Sequence, residues 1–151
     1  SKLSFELKAK FRLEHMSIVF QSHNLLKDFN VIENIILPLR YKGLSKKESM
    51  KRAIDSLGHV DLIEQGTSSI ATLSGGESQR VGIARAIAMK SKIILADEPT
   101  GNLDNKSSKS IISYLVNVCK KNGITLIIVS HDSDILSFLD NTKKMSEGKI
   151  T

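Results

Sequence analysis

The sequence has one cysteine, two prolines, no tryptophan, and only five phenylalanines and two tyrosines. The single Cys119 excludes an internal disulfide and fits a reducing compartment; its place in an apolar helical stretch points to packing rather than reactivity. So few aromatic residues exclude a base-stacking platform, and no nucleic-acid partner is expected. Long apolar runs are missing too. Stretches such as Leu126-Ile127-Ile128-Val129 fall far short of the roughly 20 residues that span a bilayer. At the start of the chain Lys2, Lys8, Lys10 and Arg12 are scattered and no apolar segment of signal-peptide type follows, so a cytosolic type of chain is expected.

Excess charge is mild, at +6, and no run of four basic residues concentrates it. A surface that handles phosphate and one that lies near an anionic membrane fit that charge equally well. The 151 residues suit about one domain, and 40% apolar with 25% charged residues argues against disorder.

What is present is an alternation of strand and helix patterns. Residues 16–20 form a β-branched and aromatic run that reads as a strand ending at Gln21. Ile32, Ile35, Ile36 and Leu39 then fall at helical spacing, with Pro38 expected to distort the last turn. Met50, Ala53, Ile54 and Leu57 repeat that spacing in a helix opened by Ser45 and Glu48 in capping-box register and stopped at Gly58. Residues 22–70 thus read as a helical insert, and 71–151 as the core. In that core, a helix over about 77–90 follows the turn Leu73–Gly76, and Ile93–Ala96 reads as a buried strand. A helix over about 105–121 carries Ile111, Ile112, Leu115 and Cys119 on one face and stops at Gly123. Ile124–Val129 has the continuous apolar pattern of a strand buried on both faces of a parallel sheet. A short helix over 132–139 and a terminal hairpin complete the chain. The expected fold class is α/β, a layered core with a mainly parallel sheet.

Ligands in open parallel sheets bind beyond the carboxyl ends of the strands. Here those ends deliver Gln21, the pair Asp97-Glu98, and Ser130-His131 to one edge. Singly, each has an ordinary explanation: a solvated loop amide, exposed carboxylates, a structural histidine. Together they suit phosphoryl transfer with a metal. Asp97 can hold Mg²⁺ through water, Glu98 can polarise the attacking water, Gln21 can orient water and metal, and His131 can hydrogen-bond a γ-phosphate. Ser74-Gly75-Gly76 adds an anion contact, because glycines let the backbone approach closely and the following helix aims its N–H groups outward.

The string Leu73-Ser74-Gly75-Gly76-Glu77-Ser78-Gln79-Arg80 resembles the signature of ABC nucleotide-binding domains. Ile93–Glu98 looks like their Walker B strand, Asn102-Leu103-Asp104 like the D-loop, Ser130-His131-Asp132 like the switch-histidine segment and Val19-Phe20-Gln21 like the Q-loop. This resemblance implies a P-loop NTPase-like ABC ATPase fold over residues 1–151, with residues 22–70 as the helical subdomain that docks on a membrane partner. It implies ATP and Mg²⁺ as ligands, with Glu98, His131 and Gln21 catalytic, Ser74, Gly75, Gly76 and Asp104 at the nucleotide, and Asp97 with Gln21 at the metal. It also implies transmembrane permease subunits and a second ATPase subunit across ATP as partners, and a peripheral place at the cytoplasmic face of a bacterial inner membrane.

Flanking residues narrow the likeness. Asn24-Leu25-Leu26, Phe29, Glu33-Asn34-Ile35, Pro38-Leu39, Glu77 and the run Ala96–Asp104 resemble an exporter group that includes lipoprotein-releasing and macrolide-exporting ATPases, with cell-division ATPases close by. Soluble ABC ATPases of ribosomes or DNA form a different class, usually with long insertions or paired cassettes. A non-catalytic remnant is a third, against which Asp97, Glu98 and His131 argue. One departure from the pattern is plain. No Gly-x-x-x-x-Gly-Lys-Ser/Thr occurs, the only Gly-Lys being Gly148-Lys149 before Ile150. The expectation is a fragment whose N-terminal part, with the phosphate-cradling loop, is missing and which is inactive alone.

Overall fold

A computed structural model describes residues 4–101 and 103–150. Helix α1 (Phe5–His15) starts at Ser4, whose hydroxyl accepts the Leu7 N–H at 3.3 Å, and it buries none of its side chains. The periodicity analysis assigned no element there, because no apolar stripe marks it. Strand β1 (Met16–Val19) follows directly and ends one residue earlier than its apolar run suggests.

Helix α2 (Val31–Tyr41) opens with a reciprocal capping box between Asn30 and Glu33. It continues through Pro38 for most of another turn, closing with the Lys42 N–H on the Pro38 carbonyl at 3.0 Å. Helix α3 (Lys46–Gly58) is capped by Ser45 alone, since the Glu48 carboxylate turns instead to Arg52 at 2.5 Å. After a 3₁₀ turn (Ile70–Thr72) comes α4 (Gly75–Ala88), which starts two residues before its expected position.

Strand β2 (Ile93–Asp97) leads to α5 (Asn105–Asn122). That helix ends at Gly123 with φ of 63°, a left-handed cap that favours glycine. Strand β3 (Thr125–Val129), the short helix α6 (Ser133–Leu136) and the hairpin strands β4 (Met145–Ser146) and β5 (Lys149–Ile150) complete the described chain.

Strands β1, β2 and β3 form a parallel sheet in that order, with Ile18, Leu95 and Ile127 in one register row and Val19, Ala96 and Ile128 in the next. Helices α4 and α5 pack on β1 and β3 respectively and on each other, while α2 and α3 pack on α4. One core cluster therefore runs from Val31, Ile35, Leu39 and Leu57 through Val81, Ile83 and Ala84 to Val19, Ile94, Ala96, Ile111 and Leu115. The expectation that the last strand is buried on both faces does not hold among the described residues. β3 alternates, with Leu126 and Ile128 half-buried and Thr125, Ile127 and Val129 exposed, because the helices cover one side of the sheet.

Candidate functional site

The residues expected at the strand ends form two groups. The first sits beyond β2 and β3. Asp97 ends β2, paired in register with Val129, and is exposed. Glu98 follows with φ of 44°, a left-handed backbone that costs a non-glycine residue about 1 kcal/mol and is tolerated where surroundings impose it. Here its N–H donates to the Val129 carbonyl at 2.9 Å, extending the ladder by one bond, and its carbonyl accepts from Gly101 at 3.1 Å in a tight turn. The turn aims the Glu98 side chain at the segment after β3.

Three groups converge on that carboxylate. The Ser130 hydroxyl donates to Oε2 at 3.0 Å, the His131 N–H donates to Oε1 at 2.9 Å, and His131 Nδ1 lies 2.7 Å from the same Oε1. Glu98 is 17% exposed, whereas the His131 ring is 84% exposed and can swing toward a ligand. Burial pushes the Glu98 carboxyl up, but the hydrogen bonds from His131 and Ser130 outweigh it and hold the group below its ordinary value. His131 is shifted upward by its hydrogen bond to Glu98 and by that residue's charge. Gln21 stands close by, since a Cβ placed on Gly101 would lie 3.6 Å from Gln21 Nε2.

Asp104 has a structural use. Its Oδ1 accepts the N–H groups of Lys106 and Ser107, each at 3.0 Å, as the N-cap of α5, and the Ser107 bonds draw its pKa down. Asn102, the first residue of the same segment, lies outside the described residues.

The second group is the start of α4. Ser74 and Glu77 form a capping box: Ser74 Oγ accepts the Glu77 N–H at 3.2 Å, and Glu77 Oε2 accepts the Ser74 N–H at 2.8 Å and its hydroxyl at 2.7 Å. Bonding to Ser74 lowers the Glu77 pKa. A Cβ on Gly75 would meet nothing within 4 Å, so the turn presents open backbone to solvent. Among the described residues, none of the hydrogen bonds of Glu98 or His131 reaches this turn.

Sequence patterns missed one arrangement that ties the two regions. Gln79 is fully buried in α4, accepts from His23 Nδ1 through its Oε1, and donates through Nε2 to the Phe20 carbonyl at 3.4 Å. Arg85, two turns on, donates to the His23 carbonyl at 2.7 Å and the Asn24 carbonyl at 2.8 Å. The available signal was the row Gln79, Gly82, Arg85, two polar residues flanking a glycine on one side of α4, amid the apolar run 81–88.

Whether these donors suit Mg²⁺ follows from their chemistry. Among the described residues no group of three or more His, Cys, Asp or Glu side chains gathers as an all-protein metal cage. Mg²⁺ keeps several waters and takes one or two protein oxygens plus substrate phosphates, so one carboxylate at Asp97 and one amide oxygen at Gln21 fit it.

Comparison with known proteins places the chain in a family. The family model described as ABC transporter matches residues 3–101. A lipoprotein-releasing system ATP-binding protein, LolD, from Geobacter metallireducens is 41% identical over 142 residues, which are 94% of this chain and 63% of that protein. The LolD of Treponema denticola is 41% identical over 141 residues, 93% of this chain and 62% of that one. The chain therefore spans a little under two thirds of the length of these curated relatives. Among solved structures, the ATP-binding cassette MJ0796 in a dimeric post-hydrolysis state bound to ADP and Pi superimposes with a TM-score of 0.91 at 34% identity, covering 99% of this chain and 66% of that one.

Proposed function

Since this chain belongs to the ABC transporter family, we propose that it serves as the ATP-binding subunit of an ABC exporter, coupling ATP hydrolysis to lipoprotein release from the inner membrane. The observation that carries the hydrolytic part is Glu98: an ionised carboxylate fixed at the end of the central strand by Ser130 and His131, beside the exposed carboxylate of Asp97. In this reading Glu98 accepts the proton of the attacking water, and its depressed pKa keeps it unprotonated for that task. His131 orients Glu98 and turns its exposed ring to the γ-phosphate. Gln21 positions water beside Gly101. Asp97 and Gln21 would hold Mg²⁺, which would supply neutralisation of the developing phosphate charge. The backbone of Gly75 and Gly76 at the positive end of α4, open to solvent at Gly75, contacts the nucleotide held by a second copy of the subunit.

The choice of lipoprotein release rests on the LolD relatives at about 41% identity. Residues 22–70 act as the subdomain that meets the transmembrane subunits. Supporting this is a groove of about 350 Å³ lined by Leu13, Leu26, Leu37, Pro38, Tyr41 and Arg85. Among the described residues no helix is long and apolar enough to cross a membrane.

The test is reconstitution of the full-length protein carrying these residues with its membrane subunits in lipid vesicles. Mg-ATP should drive both phosphate release and lipoprotein release, and a non-hydrolysable analogue should drive neither. ATP turnover with no lipoprotein release would keep the ATPase and remove the proposed cargo.

A further inference from the structure

The loop between β1 and α2 is held in an unusual shape. His23 and Asn24 both have left-handed backbones, with φ of 61° and 48°, and neither is glycine. Consecutive residues of this kind persist where neighbours over-determine them. Within the loop the constraints are small: the His23 N–H donates to the Phe20 carbonyl at 3.2 Å and the Asn24 N–H to the Ser22 carbonyl at 2.7 Å. The rest come from α4. Gln79 engages the Phe20 carbonyl and the His23 ring, and Arg85 engages the carbonyls of His23 and Asn24. Those acceptors bracket Gln21 on both sides in sequence.

Among the described residues no salt bridge joins Arg85 to a carboxylate. The planar fork of Arg85 meets two successive carbonyls, and burial pushes the guanidinium pKa down. Holding a half-buried cation on peptide carbonyls costs solvation that packing alone does not recover. Gly82, between Gln79 and Arg85, lies directly under the loop, where a Cβ would make ordinary contact with the His23 carbonyl oxygen at 3.8 Å.

We propose that Gln79 and Arg85 are positioning residues for ATP hydrolysis: they lock the 20–24 loop to α4, so that Gln21 and the Ser74–Gly76 turn at the start of that helix move as one unit. α4 is a continuous helix from Gly75 to Ala88, so a displacement of its nucleotide-facing end is carried to the loop through side chains one and three turns along it. This inference rests on the ATPase reading for its consequence, but the mechanical link itself does not.

The experiment uses the full-length protein with Arg85→Met, Arg85→Lys, Gln21→Ala and the double variant Arg85→Met/Gln21→Ala. Hydrogen–deuterium exchange reads the link: in Arg85→Met the amides of His23 and Asn24 should exchange about tenfold faster while those of α4 keep their protection. Arg85→Lys, which can satisfy one carbonyl at a time, should fall between, and it decides the matter if Arg85→Met does not fold. Steady-state kinetics read the consequence. Arg85→Met should lower kcat about tenfold with KM for Mg-ATP within about twofold, and the double variant should be no slower than Gln21→Ala, because both act through one amide. Unchanged exchange at residues 23 and 24 overturns the link. Multiplying losses in the double variant overturn the role through Gln21. Absence of hydrolysis in the wild type overturns the ATPase reading and leaves the exchange result to decide the link.

Discussion

His131 Nδ1 lies 2.7 Å from Glu98 Oε1, and the same oxygen accepts the His131 backbone N–H at 2.9 Å. Two contacts from one residue to one oxygen fix the direction of the Glu98 side chain while leaving the other face of the imidazole in solvent. Both partners titrate. Glu98 is held below its ordinary 4.5 and His131 above its ordinary 6.5.

That linkage gives the first prediction. The depressed Glu98 contributes stability above its ordinary pKa, which is lost as pH falls through its folded value; the raised His131 contributes below its ordinary pKa, lost as pH rises through its folded value. The pair is at full strength between about pH 4.5 and 6.5. Melting temperatures of wild type and His131→Ala should therefore differ more at pH 6 than at pH 9. A difference that stays constant across that range would mean the histidine does not pair as an imidazolium.

The second prediction concerns Gly75. Because a Cβ there meets nothing within 4 Å and the site begins a helix, Gly75→Asp should leave the melting temperature unchanged within a degree or two, an acidic residue being favoured in the first turn. In the full-length protein it should keep nucleotide affinity in the monomer and abolish ATP-driven dimerisation, since a carboxylate meets the partner's γ-phosphate. Light scattering with and without Mg-ATP checks this, and a collapse of monomer affinity would place the signature turn on its own subunit's nucleotide.

Much of this architecture was legible in local patterns. Ile111, Ile112, Leu115 and Cys119 are buried on one face of α5, as their spacing requires, and Gly123 takes the left-handed cap. Strand ends brought Gln21, Glu98 and His131 into one neighbourhood, as expected of a parallel sheet. Other features depend on pairings that no local pattern records. α1 scatters its apolar residues around the helix rather than on one stripe, the exposure of Ile127 and Val129 depends on what covers the sheet, and the bonds of Arg85 join residues more than sixty positions apart. The bond from the Ser130 hydroxyl to Glu98 depends on the left-handed turn at Glu98, which no local pattern records.

A third prediction addresses these 151 residues by themselves. They contain no Gly-x-x-x-x-Gly-Lys-Ser/Thr to wrap the β- and γ-phosphates. Each charge-assisted hydrogen bond is worth about 1.5–3 kcal/mol, so lacking three costs more than about 4 kcal/mol, or roughly a thousandfold in affinity. Calorimetry with Mg-ATP should give dissociation constants of about millimolar or weaker, on the same scale. Micromolar binding would locate a nucleotide grip among the residues present.

The most direct test of the account is the split between binding and turnover at Glu98. In the full-length protein, Glu98→Gln preserves the shape of the side chain and can still meet Ser130, but it cannot accept the proton of the attacking water. Nucleotide affinity should stay within a few-fold of wild type while single-turnover hydrolysis falls by about two to four orders of magnitude, the contribution of a positioned general base. Hydrolysis at the wild-type rate in that variant would contradict the role assigned to Glu98 and, with it, the reading of this strand edge as the hydrolytic centre.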